Sequence, residues 1–177
     1  MKKLGNARGF ALIDLLFVCG IIGLLCSIAL PRLLLAKQSA GAASAIGSMR
    51  SINSAQLTYA LTCGNGFYAP NLTTLGVLPP GSQEPFLAGG LTGSNTVNKS
   101  GYSITVEGVP YTGAPPSCNG LGPSEAAQGF RAAADPLEPT NPRFFATNAS
   151  SFIYEHTSSL FATMPEVGES PAGKPLR

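Results

Sequence analysis

The sequence predicts an α+β fold: a long N-terminal α-helix, transmembrane in its first half and kinked near Pro31, whose second half packs on a small antiparallel β-sheet head. Three observations predict it. Leu15 to Leu30 carries no charge, and the run with its flanks is long enough to cross a bilayer as a helix. Ala42, Ala45, Met49, Ile52, Gln56 and Tyr59 recur at alternating three- and four-residue spacing, the pattern of one buried helix face. Tyr102, Ile104 and Val106 alternate with polar residues, as half-buried strands do.

The N-terminal segment comes first. Charged residues make up 11% of the 177-residue chain and hydrophobic ones 44%, most of the apolar weight lying before Leu61. This suits one very apolar segment joined to a single ordinary domain. Lys2, Lys3 and Arg8 precede the apolar run and no acid does, which places the N-terminus in the cytoplasm and the rest outside it. The formal charge of +2, with no basic cluster and interleaved aromatics after residue 37, argues against a nucleic-acid partner.

Between Phe10 and Leu35 only Asp14 and Arg32 are charged, and three readings compete. A secretory signal peptide would be cut near Ser27-Ile28-Ala29, but Asp14 at the front of the apolar region and Pro31 just past the cut count against it. Cys19 follows Val18 and Cys26 follows Leu25, not the small residue that a lipoprotein site requires. A plain anchor explains the length but not Asp14. A carboxylate at the centre of a bilayer costs roughly 2.5 to 3.5 kcal/mol on insertion scales and usually has a partner. Arg8, the nearest upstream cation, is six residues back and off the same helix face.

The third reading cuts the chain after Gly9, so that the new amine of Phe10 supplies a positive charge. The short basic leader MKKLGNARG, the Gly9-Phe10 junction, the GFALIDLL run and Pro31 together resemble the type IV prepilin family, in which a helix-bending proline is common at this distance past the junction. The resemblance covers Met1 to about Leu61. It implies that a membrane-embedded prepilin peptidase cuts after Gly9 and N-methylates Phe10. It also implies that Asp14 pairs with the amine of a neighbouring subunit, so that the cost of burying the acid checks docking register. The family usually has Glu here; Asp is one methylene shorter.

Pro31 is expected to kink the helix without ending it, because helix formers resume at once, and Gly41 and Gly47 soften it further. From Phe10 to Leu61 a continuous helix would extend about 78 Å, against about 30 Å of hydrocarbon. Its second half must therefore pack on something exported, and in pilins it embeds in a globular head. Gly20, Gly23, Ser27 and Ala29 would admit close helix approach, although glycine is common in membrane helices anyway.

Cys19 and Cys26, seven apart, stand about 10 Å apart on a helix, too far to bridge. Cys63 and Cys118 fall in the exported part, where oxidation is permitted, and are expected to pair. Neither has a nearby Cys or His for a metal site. The bridge would tie the turn-rich GAPPSCNGLGPS insertion to the end of the long helix, unlike the C-terminal disulfide loop of many major pilins, so no adhesive role is assigned to it.

Cys63 to Gly101 reads as irregular connection with turns and short helical pieces. Tyr102 to Val106, Gly129 to Ala134, RFFAT and SFIYEH give four strands, the last two flanking Asn148-Ala149-Ser150 as a hairpin. The tail from Met164 is expected to be loosely ordered.

Catalytic patterns are weak. His156 is the only histidine and reads as a solvent-facing or packed residue, so enzyme function is not expected. Asp135 and Glu138 lack the ligand density of a calcium site, and the glycines at 64 to 66 and 120 to 122 lack a phosphate-loop context. Sequons at Asn71, Asn98 and Asn148 carry little weight in the bacterial setting that a prepilin implies.

The organisation expected is a leader over 1–9, an assembly helix over 10–31 and a periplasmic head over 32–177, with no cofactor or metal. The function expected is a structural subunit of a type IV pilus or pilus-like filament. Its partners would be prepilin peptidase, copies of itself or other pilins, and the bacterial inner membrane before assembly. Within the family, a secretion pseudopilin or a DNA-uptake pilin competes; outside it, a non-polymerising single-pass protein with a periplasmic binding head.

Overall fold

The computed structural model describes residues 8–88 and 90–176, with side chains from Leu12 onward. Helix α1 runs Arg8–Thr62 without ending at Pro31, followed by a one-turn α2, Leu72–Leu75. Six strands follow: β1 Thr96–Lys99, β2 Tyr102–Glu107, β3 Arg131–Pro136, β4 Phe144–Asn148, β5 Ile153–His156 and β6 Lys174–Pro175. They form one antiparallel sheet in sequence order, every neighbour paired with the next. The chain divides into two compact units at Ser39/Ala40.

Within the second unit, the predicted helix stripe is the buried face: Ala42, Ala45, Met49, Ile52, Gln56 and Tyr59 are all at most 1% exposed. It packs in one core with Tyr102, Ile104 and Val106 of β2, Ala132 and Ala134 of β3, Phe145 of β4 and Ile153 of β5. Burying an aliphatic side chain as large as Ile52 is worth about 1.5–3 kcal/mol. The close approach has a local cause at Gly41, where a Cβ would lie 2.7 Å from the Ser100 carbonyl oxygen. Ser100 and Gly101, both at positive φ, make the two-residue turn between β1 and β2, and Ser44 Oγ donates to Ser100 Oγ at 2.9 Å.

The opposite sheet face is also covered. Ala133, Ala146 and Tyr154 pack with Leu160 and Met164, and Phe161 and Ala172 add to the cluster. The tail from Met164 is thus part of the fold, contrary to the expectation of loose order. Asn148, fully buried, donates from Nδ2 to the Pro165 and Gly168 carbonyls. The Leu176 amide donates to the Ile153 carbonyl beyond β6. Two covered faces explain why β3 reads as an apolar run, Ala132-Ala133-Ala134, with weak alternation. The sheet has six strands where four were expected, the additional ones being the edges β1 and β6.

Gln56 shows how the loop after α1 is fixed. Its Nε2 donates to the Ala69 carbonyl at 2.8 Å, and its Oε1 accepts the Ala69 amide at 2.9 Å, all buried. Gln56→Leu keeps the volume but strands both backbone groups, and unfolding by denaturant is expected to show a loss of about 2 kcal/mol. A loss below about 0.5 kcal/mol would mean that the clamp adds nothing to stability.

Candidate functional site

The first unit carries the predicted assembly residues. Every large apolar side chain that α1 presents from Leu12 to Leu35 is exposed, from 42% at Ile21 to 69% at Leu24. The helix is long and apolar enough to cross a membrane, with a mean hydropathy of 2.5 over its most apolar window and none of that window buried. A helix apolar on all sides, unlike an amphipathic one, needs lipid or other apolar helices around it.

Gly9 and Phe10 fall in the first turn of α1; the leader residues Met1 to Ala7 lie outside the described residues. Asp14 is exposed and makes no hydrogen bond or ion pair among the described residues. A Cβ at Gly20 or Gly23 would meet nothing within 4 Å, so the backbone there is open to a neighbour. Ser27 Oγ donates back to the Leu24 carbonyl at 3.1 Å, which satisfies the hydroxyl without water. Pro31 has no N–H, so the Ser27 carbonyl lacks its usual helical donor.

In the second unit Cys63 and Cys118 form the expected disulfide, joining the end of α1 to the segment between β2 and β3. Cys19 and Cys26 are free and exposed. The bridge is reinforced by the Cys118 amide donating to the Cys63 carbonyl at 3.1 Å and by Asn65 Nδ2 donating to the Pro116 carbonyl at 3.2 Å. Burial pushes the Tyr59 phenol up, and its hydroxyl has no hydrogen-bond partner among the described residues.

Two ion pairs form in the head among the described residues. Arg131 bonds Glu107 at 2.6 Å across β2 and β3 and lies 5.0 Å from the Phe161 ring centroid. Arg143 bonds Glu155 through Nε at 2.5 Å and Nη2 at 3.3 Å, and the bond to Glu155 holds the guanidinium more firmly charged. Asp135 Oδ2 accepts from Ser159 Oγ at 2.6 Å, and Glu138 is exposed. Among the described residues no three His, Cys, Asp or Glu side chains gather as metal ligands.

His156 Nδ1 accepts from the Ser158 amide at 3.2 Å and lies 3.0 Å from Ser158 Oγ. It borders an open cleft of about 610 Å³ with Arg143, Glu155, Thr157 and Lys174. The sequence shows no basic cluster after residue 37, and Lys174 lies in what reads as a tail. The signal that marks it is the short β6 pairing, Glu155 with Lys174 and Tyr154 with Pro175.

No protein-family model, curated protein or solved structure matches the chain.

Proposed function

We propose that this chain is a type IV pilin-like subunit, inserted with its N-terminus inside, cut after Gly9, methylated on Phe10, and drawn from the membrane into a helical filament through α1. The observation that carries this reading is a stretch of α1, Leu12 to Leu35, with its large apolar side chains exposed and one acid, Asp14, that has no partner among the described residues. Lipid alone would accommodate the apolar surface, but it offers a carboxylate nothing. A neighbouring subunit bearing the Phe10 ammonium offers it an ion pair. The fold supports the same reading, since the half of α1 that the head buries is the half not needed to cross a bilayer.

Losing Met1 to Gly9 removes Lys2, Lys3 and Arg8, so eleven basic side chains become eight against nine acidic ones, a formal charge of −1. Near-neutral subunits associate readily. The test is the intact mass of the chain purified from membranes of cells that have a prepilin peptidase. Loss of Met1 to Gly9 plus one methyl group is the expected result. An uncut chain would instead favour a single-pass anchored protein whose head binds a periplasmic partner. A chain cut near Ala29 would identify a secretory signal.

A further inference from the structure

We infer that the cleft lined by Arg143, His156, Thr157 and Lys174 binds a phosphate-type oxyanion, and that in a membrane-inserted chain this is a lipid headgroup phosphate. The lipid part rests on the proposed membrane insertion; the phosphate part does not.

From Ala40 to Arg177 acidic side chains outnumber basic ones: the cations are Arg50, Lys99, Arg131, Arg143, Lys174 and Arg177, against Glu84, Glu107, Glu125, Asp135, Glu138, Glu155, Glu166 and Glu169. Yet two of those six cations and the chain's one histidine border this single cleft, with Glu155 its only acid among the described residues. Glu155 is committed, because both carboxylate oxygens take Arg143 protons, at Nε and Nη2. What remains is a set of donors. Arg143 Nη1 and the Lys174 ammonium have no hydrogen-bond partner among the described residues. The Ser158 amide donates to His156 Nδ1, which puts the proton of the neutral ring on Nε2. Thr157, which also lines the cleft, carries a hydroxyl that can donate. Several donors lining one cleft, with the local acceptor already occupied, match an oxyanion that carries several lone pairs, and Arg and Lys both bind phosphate.

The place of the cleft selects the source. Ala134 pairs with Phe145, Phe145 with Glu155, and Glu155 with Lys174, so the cleft sits at the end of the sheet marked by Tyr102 and Pro136, which pair with each other. The same end receives α1, since Gly41 abuts Ser100 and the Tyr102 ring. Six residues separate Gly41 from Leu35, the last of the apolar run, a stretch that reaches at most about 20 Å even fully extended. In a chain whose apolar run lies in hydrocarbon, connectivity alone keeps Gly41, and with it the start of the head, within that reach of the headgroup layer, where phosphate is concentrated.

The experiment follows the imidazole resonance of His156, a unique reporter in the full-length chain, at fixed pH. In maltoside micelles, which contain no phosphate, added inorganic phosphate is expected to shift it saturably. In phosphatidylglycerol nanodiscs it is expected to sit at the bound position already and to respond no further. Lys174→Gln, an exposed change on a two-residue edge strand, is expected to weaken the phosphate response about tenfold, while Arg50→Gln, outside the cleft, leaves it intact. A resonance that ignores phosphate, or responds equally in Lys174→Gln, overturns the site. A response to phosphate in micelles with no displacement in nanodiscs overturns the lipid source and assigns the site to free phosphate. A chain that proves not to be cut or to polymerise leaves the micelle arm untouched.

Discussion

Asp14→Asn is expected to abolish filament assembly while insertion and removal of Met1 to Gly9 continue at parental levels. The substitution removes a charge that hydrocarbon penalises by roughly 2.5 to 3.5 kcal/mol, so a protein that only anchors itself would tolerate it or gain from it. A filament would not. On the proposed reading the Phe10 ammonium of the adjoining subunit loses its counter-ion on docking, and removing one member of a buried pair costs about 3–5 kcal/mol. At 1.4 kcal/mol per tenfold, the subunit concentration that sustains a polymer rises by more than about a hundredfold. Sheared filaments are measured by immunoblot and electron microscopy, with intact mass as the processing control. Asp14→Glu supplies the longer carboxylate that the resemblance leads one to expect and is expected to assemble at or above the parental level. Parental polymerisation by a correctly cut Asp14→Asn chain would end the ion-pair reading, and a loss of cleavage in that variant would move the role of Asp14 from assembly to processing.

The division between what the sequence discloses and what it conceals follows from how each element is stabilised. The helix stripe from Ala42 to Tyr59 was legible because one face packs and the other meets water, so burial writes itself as spacing. The β4–β5 hairpin was legible from its aromatic-rich runs flanking the Asn148-Ala149-Ser150 turn. Strand β3 was faint because both its faces are covered, and three consecutive alanines fit between α1 on one side and Leu160 and Met164 on the other. The edges β1 and β6 were missed because their residues, Thr96 to Lys99 and Lys174 to Pro175, have polar or proline-containing sequences that pairing, not hydrophobicity, holds in place. The tail was misread on composition. Its glycines and acids look solvated, but Asn148 and the Ser150 hydroxyl reach across and bind it at Pro165 and Gly168. The same blindness concealed the cationic cleft, since Arg143 and Lys174 are brought together only through the register of β4, β5 and β6. Charge clusters built by pairing leave no periodic trace in a chain.

Loss of the Cys63–Cys118 bridge is the second large effect expected. The two residues are 55 apart, and opening a loop of that length restores enough freedom to the unfolded chain to cost about 4 kcal/mol on chain-entropy grounds. For a domain of this size that is a fall in Tm of roughly 10 to 20 °C. Cys63→Ala with Cys118→Ser is the variant to use, because Cys63 is 3% exposed and a lone thiol there would invite mispairing. The folded head is expected to survive at low temperature, since the segment keeps ties that do not involve sulfur. The Tyr68 and Ala127 backbones bond each other, Tyr111 bonds Ala126, and Asn119 Nδ2 donates to the Thr74 carbonyl at 2.9 Å. Those ties flank residues 112 to 118, so hydrogen exchange should accelerate there and around Gly64 while the centre of the sheet, Ile104 and Ala133, keeps its protection until global unfolding. Reduction of the parental protein with a thiol should reproduce the same pattern. If the variant and the reduced protein instead lose protection uniformly, with no excess at 112 to 118, the bridge acts on the whole core and not as a local tether. If Tm falls by less than about 3 °C, the remaining backbone ties already close the loop, and the disulfide contributes little beyond them.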